Sequence, residues 1–379
     1  MYQRADQGSV DDFLEASGSS HTRAGTRSLF FAGAVKAGRG GISYGLEKAQ
    51  LDITYERIVS LENLLEAWRE FARDKRKRKD VQEFELRLTD NVLALHRDLA
   101  AKSYVHSAYE AFSISDPKPR SIHKATVRDR LLHHAIYRLL YPFFDKTFIA
   151  GSYSCRKEKG AHKALNHFRR LAYRVSNNHT RTVWVLKCDV RKFFASIDQE
   201  HLLAILAKRI PDSDVLWLLG QVVRSFHSTR EGVGLPLGNL TSQLLVNIYM
   251  NELDQFVKHG LRARAYVRYA DDFVLLSADR AELELALPRI RAFLWDELRL
   301  ELHPDKVSIR TFASGVDFLG WVHFPDHRVL RTSSKRRMFR RIEEVSGKDA
   351  TIQSYLGLLS HGNARKLQAS IARLKADAT

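Results

Sequence analysis

Two adjacent carboxylates inside an apolar segment constrain this chain more than any other feature. Asp271 and Asp272 stand between the apolar half-strands 266–269 and 273–276, in the sequence YVRYADDFVLL. Charge in such a segment is costly unless a cation neutralises it. A tight turn at residues 270–271 would present Asp271 outward and leave Asp272 more peripheral. The segment therefore predicts a β-hairpin with an acidic turn.

A second apolar segment ends at another aspartate. Residues 182–190 are typical of a buried strand, and Asp189 lies near its end. If this strand pairs beside the hairpin, Asp189 and Asp271 converge, and oxygen ligands from two strand ends are what Mg²⁺ prefers. Taken alone, an Asp pair in a turn is usually solvated and a strand-terminal Asp is commonly a helix cap. The prediction of a metal site therefore depends on the joint order of these motifs.

The charge balance indicates a polyanionic partner. The chain has 61 Lys and Arg residues against 44 Asp and Glu, a net charge of +17, which favours nucleic acid or an anionic membrane surface. With two cysteines, Cys155 and Cys188, a disulfide scaffold is excluded and a Cys-based zinc site is not expected. No apolar run reaches the roughly 18 residues of a membrane span, and the N-terminus lacks a secretory pattern. We expect a cytoplasmic protein without a membrane partner.

Hydrophobic periodicity predicts a mixed chain of helices and strands. Helices are expected over residues 53–72, 81–101, 127–148, 200–226, 239–259 and 281–297, and strands over 182–190, 265–277 and 307–322. The helix over 239–259 is expected to be amphipathic, with Thr241 or Ser242 as its cap. Two prolines within residues 113–122 predict a hairpin or an edge strand. Residues 1–48, rich in Gly, Ser and Ala, predict a loose tail or an arm that orders on a partner.

The ordered motifs resemble those of reverse transcriptases. Residues 269–272, Tyr-Ala-Asp-Asp, resemble the active-site box of that family, and residues 189–198 resemble its first catalytic-aspartate motif. Further blocks in the family's order are 118–130 and 152–156 of the fingers, 235–243 of the template–primer loop, 302–306 of the lysine motif, 318–321 of the primer grip, and 354–357 with 361–363 of the thumb. The resemblance covers roughly residues 50–379.

The resemblance implies an α+β right-hand polymerase, with an antiparallel palm sheet and helical fingers and thumb. The implied domains are an N-terminal extension (1–48), fingers with N-terminal helices (49–180), a palm (181–328, of which 199–235 belongs partly to the fingers) and a basic helical thumb (329–379). The implied activity is RNA-directed DNA synthesis from dNTPs.

The resemblance also implies roles for the aspartates and their neighbours. Asp189 and Asp271 would hold two Mg²⁺ ions, with Mn²⁺ as the alternative, while Asp272 assists and the carbonyl of Val190 completes a shell. Two such ions activate a hydroxyl and stabilise a departing pyrophosphate. Lys306 would protonate that pyrophosphate or offset its charge; an ordinary surface lysine is the alternative.

Other residues are expected at the nucleotide. Lys118 and Arg120 would bind the triphosphate, because phosphoryl transfer is promoted by fixed positive charge; a solvated turn is the alternative. Phe194, five positions after Asp189, would clash with a ribose 2′-hydroxyl. The alternative role of a core phenylalanine fits Phe193 better.

Several residues are expected to contact the template and primer. The primer grip would be Phe318, Leu319, Gly320 and Trp321. Cations that would follow the nucleic-acid backbone are Arg73, Lys75, Arg76, Lys77, Arg78, Lys335 and Arg336. For the run at 73–78, a solvated face is the alternative.

The template–primer loop separates subfamilies. Leu237 before Gly238, with Gln243 after Ser242, resembles the reverse transcriptases of diversity-generating retroelements, which copy a template RNA into cDNA with frequent errors at adenine. Gly238 would let the backbone approach the nucleotide closely. The alternatives are an antiphage-defence reverse transcriptase that copies a noncoding RNA and a catalytically silent RNA-binding scaffold. The expected partners are the RNA template, the cDNA product, dNTPs, and a noncoding RNA or a small accessory protein.

Overall fold

The computed structural model describes residues 51–115, 119–344 and 349–377. The predicted extension over residues 1–48 and the predicted nucleotide ligand Lys118 lie outside the described residues. Among the described helices, none combines the length and the apolar character that crossing a membrane requires.

Helices and one hairpin form the N-terminal part of the described chain. They are α1 (Tyr55–Val59), α2 (Leu61–Ala72), α3 (Lys79–Glu85), α4 (Leu88–Ala100), β1 (Glu110–Ile114), β2 (Arg120–Lys124), α5 (Val127–Thr147) and α6 (Ala161–Val175). Strands β1 and β2 pair antiparallel, which confirms the hairpin predicted around residues 113–122.

Two long predicted helices are each divided in the structure. Ser60 separates α1 from α2 and caps α2, because its hydroxyl accepts a hydrogen bond from the Asn63 amide. Residues 86–87 separate α3 from α4. The apolar period continues across both breaks because the flanking helices pack into the same core, so periodicity alone does not reveal the breaks.

The rest of the chain contains groups of strands and groups of helices. The elements are β3 (Trp184–Asp189), α7 (Phe193–Ser196), α8 (Gln199–Ala207), α9 (Ser213–Arg224), α10 (Leu240–Gln255), β4 (Tyr266–Tyr269), β5 (Asp272–Ser277), α11 (Arg280–Leu298), β6 (Ser308–Thr311), β7 (Val316–Phe318), β8 (Trp321–His323), β9 (Arg328–Leu330), α12 (Thr332–Glu344), α13 (Asp349–Leu359) and α14 (Arg365–Asp377). The helix predicted over 200–226 is two helices, since Asp212 caps α9. The α+β class is confirmed.

A four-stranded antiparallel sheet, the central sheet, has the strand order β4-β5-β3-β6. Its side chains alternate between two cores. One face packs against α10 and α11 through Leu186, Cys188, Phe273 and Leu275, and the other packs against α6 through Val185, Val267, Val274 and Leu276. Because both faces are covered, the ends of the strands are where polar side chains can gather.

Helix α10 is buried on nearly all sides. Polar residues such as Thr241, Ser242 and Asn247 are as inaccessible as their apolar neighbours, because α10 packs against α5, α8 and α11. Asn239 occupies the cap position, and its amide instead donates to the carbonyl of His123 at 3.1 Å. The predictions of an amphipathic helix and of Thr241 or Ser242 as its cap were therefore wrong.

The C-terminal helices are attached to α6 through a loop. His361, between α13 and α14, stacks on His162 of α6 with ring centroids 3.6 Å apart. The same loop is also hydrogen-bonded to β9. The Arg328 guanidinium donates to the His361 carbonyl, and the Asn363 amide donates to the Arg328 carbonyl. A side chain at Gly362 would overlap the Trp321 ring, so this loop fits only without one.

A buried ion pair fastens the β4–β5 hairpin to α10. The side chains of Arg268 and Asp254 are 1% and 0% exposed. Two nitrogens of Arg268 donate to the two carboxylate oxygens at 2.8 and 2.7 Å, and Arg268 also donates to the carbonyl of Ala270 at 3.0 Å and to the hydroxyl of Ser152 at 3.0 Å. A buried charge without its partner is strongly unfavourable, so the pair fixes the hairpin in one position.

Replacing Arg268 should therefore destabilise the whole protein. We expect Arg268→Met to lower the free energy of unfolding by about 3–5 kcal/mol, because Asp254 would remain buried and unpaired. The matched control is Arg280→Met, since Arg280 pairs with Glu284 on the exposed side of α11, where such a pair contributes less than about 1 kcal/mol. Urea unfolding measures both, and similar losses for the two variants would contradict the prediction.

Candidate active site at the end of the central sheet

Three carboxylates lie at one end of the central sheet. Strand β3 ends at Asp189, whose register partner on β5 is Asp272. Asp271 lies in the turn between β4 and β5, where Ala270 has the left-handed φ of 55°. The Val190 amide donates to the Asp271 carbonyl at 3.1 Å. The predicted strand pairing and tight turn are thus present, and they bring Asp189 and Asp271 together.

These carboxylates are in an unfavourable environment for negative charge. Burial raises the pKa of Asp272 to about 7, and Asp271 and Asp189 add to that effect while Lys187 opposes it. Burial also raises the pKa of Asp271, again with a contribution from Asp189. One oxygen of Asp272, Oδ1, is buried without a hydrogen-bond partner. A cation at this sheet end would relieve both the repulsion and the burial cost.

Two lysines contact the carboxylates. The ammonium of Lys306 lies 2.7 Å from Asp189 Oδ1, so the structure places this predicted site residue beside the aspartates. The ammonium of Lys187 lies 3.8 Å from Asp272 Oδ2 and donates to the Asp317 carbonyl at 2.7 Å. Lys187 was missed by the sequence analysis. The signal was its position two residues before Asp189, which puts both side chains on the same face of β3.

The contacts of Lys187 continue to the start of α12. The Asp317 carboxylate accepts a hydrogen bond from Arg331 at 3.0 Å, and the Arg331 amide donates to the Gly320 carbonyl at 3.0 Å. A chain of polar contacts therefore links Asp272 to the β7–β8 turn and to the first of the C-terminal helices.

The donor set at this sheet end fits a hard divalent cation. It offers carboxylate oxygens, one of which is the unpartnered Oδ1 of Asp272. Among residues 51–115, 119–344 and 349–377, no group of three or more His, Cys, Asp or Glu side chains is already arranged to hold a metal ion. Lys306 contacts Asp189 Oδ1 and offsets part of the charge at this sheet end. The two-ion site, with Val190 in its shell, stays a prediction.

The hairpin β1–β2 reaches the carboxylates through the charge of Arg120, and the loop over residues 235–243, predicted to contact template and primer, is joined to β2. The charge of Arg120 on β2 acts on Asp271, where it opposes the rise in pKa. The Leu237 carbonyl accepts a hydrogen bond from the His123 amide at 3.1 Å, so the loop is tied to β2. Gly238 has a φ of 100°, and a side chain there would lie 3.0 Å from Ile122. Gln243, half-buried, lies in the first turn of α10.

Phe194 lies between the first aspartate and this loop. It is half-buried, whereas Phe193 is 4% exposed and belongs to the core. The two rings are in edge contact, with centroids 5.5 Å apart. The Phe194 carbonyl accepts a hydrogen bond from the Leu235 amide at 2.9 Å. The structure therefore leaves Phe194, and not Phe193, with a ring surface to offer a ligand.

The predicted primer grip coincides with the β7–β8 turn. The side chains of Phe318 and Trp321 are 0% and 1% exposed, because they pack in the core beneath α6 and the C-terminal helices. Leu319 and Gly320 form the turn with φ values of 49° and 82°. Of the four predicted contacts, only these two turn residues are accessible to a primer.

The predicted basic contacts differ in their surroundings. Arg73 and Lys77 are exposed, and Arg76 pairs with Glu85 at 3.1 Å. Lys75 is half-buried, lies over the Phe71 ring and donates to its carbonyl, and burial lowers its pKa. Lys75 thus stabilises the fold locally. The remaining predicted contacts are Arg78, which is half-buried, and the exposed Lys335 and Arg336 on α12.

Comparison with known proteins agrees with this geometry. The family described as "Reverse transcriptase (RNA-dependent DNA polymerase)" matches residues 115–323, a range that contains all three aspartates. Protein YkfC of Escherichia coli is 27% identical over 61% of this chain and 68% of its own length. The group II intron-encoded protein LtrA of Lactococcus lactis is 22% identical over 58% of this chain and 46% of its own length.

One solved structure that this chain matches in part is telomerase from Candida albicans in complex with a fragment of telomeric RNA. It is 9% identical, and the match covers 65% of this chain and 51% of that one at a TM-score of 0.45.

Proposed function

This chain belongs to the reverse transcriptase family of RNA-dependent DNA polymerases, and from that membership we propose that it copies a dedicated RNA template into cDNA. The observation that carries the proposal is the meeting of Asp189, Asp271 and Asp272 at one end of the central sheet. We assign residues 49–180 to the fingers, 181–328 to the palm, with 199–235 partly in the fingers, and 329–379 to the thumb.

The proposed reaction joins a primer 3′-hydroxyl to the α-phosphate of a dNTP and releases pyrophosphate. Asp189 and Asp271 would hold Mg²⁺, with Asp272 and the Val190 carbonyl in support. When bound there, the ions would lower the pKa of the hydroxyl and offset charge on the phosphates. The raised pKa values of Asp271 and Asp272 and the unpartnered oxygen of Asp272 support this assignment.

Fixed cations around the carboxylates would bind the triphosphate. Arg120 acts on Asp271 from the β1–β2 hairpin, and Lys306 contacts Asp189. Preorganised positive charge stabilises the charge that develops on the phosphates. Lys306 holds a proton at Nζ that it would give to the leaving pyrophosphate, or it would offset the charge of that group.

Lys187 would position Asp272 in this reaction. Its ammonium stands between the Asp272 carboxylate and the Asp317 carbonyl. Through Asp317 and Arg331 the same contacts reach the Gly320 carbonyl in the turn proposed for the primer. The carboxylate and the primer turn would therefore keep a constant relative position during synthesis.

Two further features would set substrate choice. The half-buried ring of Phe194 would exclude a 2′-hydroxyl, and Leu237 beside Gly238 would leave the nucleotide without an amide contact. We propose that this loss makes synthesis error-prone at template adenines, as in a diversity-generating retroelement. Similarity to a group II intron-encoded protein supports a relation to retroelements in general.

Asparagine at position 271 should abolish synthesis without harming the fold. Asp271→Asn removes a charge whose burial is unfavourable, so the free energy of unfolding should stay the same or rise. Primer extension on an RNA template with dNTPs should fall at least roughly a hundredfold. Asp296→Asn, on the exposed side of α11, is the control. Full activity of Asp271→Asn would contradict the role of this carboxylate, whereas no cDNA from the wild type with several primers would favour the RNA-binding scaffold.

Removing the Phe194 ring should admit ribonucleotides. We expect Phe194→Ala to raise the use of NTPs relative to dNTPs by roughly tenfold or more. Without the ring, nothing at this position would clash with the ribose 2′-hydroxyl. Phe193→Ala is the control, because loss of a core ring should cost about 3–5 kcal/mol of stability while sugar selectivity stays unchanged. Competition assays with paired nucleotides measure the ratio, and equal ratios for both variants would refute the role of Phe194.

The errors should concentrate at template adenines. Sequencing of cDNA made by the wild-type protein should show more misincorporation opposite adenine than opposite the other bases. Leu237→Gln restores an amide beside Gly238 and should lower that excess severalfold, while Leu216→Gln, a substitution of the same kind on α9, should leave it unchanged. Error rates that are equal for all template bases would count against the retroelement assignment and favour a defence role.

A further inference from the structure

Helix α6 has an unbalanced line of positive charge. Between Glu158 and Asp189 the chain contains no acidic residue. Its buried face consists of small and apolar residues that pack on β4 and β5, namely Ala164, Leu165, Phe168, Leu171 and Ala172. Its exposed side carries Lys163, Arg170 and Arg174, and Arg181 follows the helix. We call these four residues the basic row.

The basic row is regular in space. Lys163, Arg170 and Arg174 are separated by seven and four residues, which places them on one side of a helix, and they span about 17 Å along its axis. Beyond the helix, residues 177–179 have left-handed backbones. The chain turns back there, and the Arg181 amide donates to the Ser176 carbonyl at 2.9 Å. Arg181 is therefore kept beside the last turn of α6.

The basic row lacks acidic partners. Among the described residues, none of its four side chains forms an ion pair with a carboxylate, and Lys163 donates only to the backbone carbonyl of Glu158. Four other exposed arginines do have carboxylate partners: Arg69 with Glu66, Arg87 with Asp90, Arg224 with Glu200 and Arg280 with Glu284. The positive field of the row also reaches its neighbour His167, whose pKa is lowered by burial and then by Arg170 and Arg174.

We propose that the basic row binds the phosphate backbone of double-stranded RNA, as a folded part of the template RNA held outside the catalytic cleft. The identification of the polyanion as template RNA rests on the proposed function. Duplex RNA is recognised mainly through its shape, phosphates and 2′-hydroxyls, and a nucleic-acid duplex is densely charged, with about one charge per 1.7 Å of the axis in B-form DNA. A line of cations about 17 Å long matches such a backbone.

The other surroundings of the row favour RNA over a membrane. Binding to a membrane surface needs bulky apolar side chains beside the cations. On the exposed side of α6 the large apolar group is Tyr173, which is 50% exposed and in edge contact with His179. The buried side of α6 lies on the central sheet, so the row points away from the sheet whose end carries the aspartates. RNA on the row would leave the cleft open.

The test compares two variants with the same net charge. One replaces the basic row (Lys163→Gln, Arg170→Gln, Arg174→Gln, Arg181→Gln), and the other replaces the four paired arginines (Arg69→Gln, Arg87→Gln, Arg224→Gln, Arg280→Gln). The probe is a blunt RNA hairpin without a primer, titrated at several salt concentrations. The slope of the logarithm of the association constant against the logarithm of the salt concentration should be shallower for the row variant. The expected change is about one for each phosphate that the variant no longer neutralises, about four in all. The control variant should change this slope much less. Urea unfolding verifies that both variants fold.

Primer extension separates this inference from the proposed function. On a short unstructured RNA template both variants should extend a primer as the wild type does, whereas on a template with a long hairpin the row variant should lose activity. A row variant with the wild-type salt slope would overturn the inference, even in an active polymerase. Equal loss of binding for single-stranded RNA and for the hairpin would overturn the duplex assignment. An inactive wild type with the expected slope difference would overturn the proposed function and support the row.

Discussion

The buried pair of Arg268 and Asp254 is the interaction on which the position of the acidic turn depends. Arg268 joins α10, through Asp254, to the turn itself, through the carbonyl of Ala270. That carbonyl belongs to a left-handed residue, a conformation that an alanine adopts only at a cost. The charge pair therefore holds the turn in a conformation that local preferences disfavour, and it does so one residue away from Asp271.

The central sheet turns this local constraint into a site. Antiparallel pairing sets Asp189 opposite Asp272, and covered faces leave the strand ends for polar groups. Three carboxylates so close together oppose folding, as the raised pKa values of Asp271 and Asp272 show. Lys306 and Lys187 offset part of that repulsion. The protein thus accepts a local loss of stability where the proposed chemistry needs clustered negative charge.

The sequence predicted what depends on local pattern and failed where burial decides. The alternation of residues 266–276 and the apolar strand before Asp189 were enough to predict the hairpin and the convergence of the aspartates. Helix α10 was misjudged because its polar residues are covered by three neighbouring helices, which no periodicity reveals. Phe318 and Trp321 are also buried by elements distant in the chain, so the local pattern did not identify them as core residues. Lys187 was missed because its partners, Asp272 and Asp317, are distant in the chain.

The ring stack between His162 and His361 makes two parts of the molecule move together. The C-terminal helices cannot swing away from α6 without separating these rings and breaking the hydrogen bonds of Arg328 with residues 361–363. A load on either part therefore changes the freedom of the other, and the free energy of that coupling is equal in both directions. Opening of the C-terminal helices to release a finished product would therefore also separate His361 from His162 in the first turn of α6.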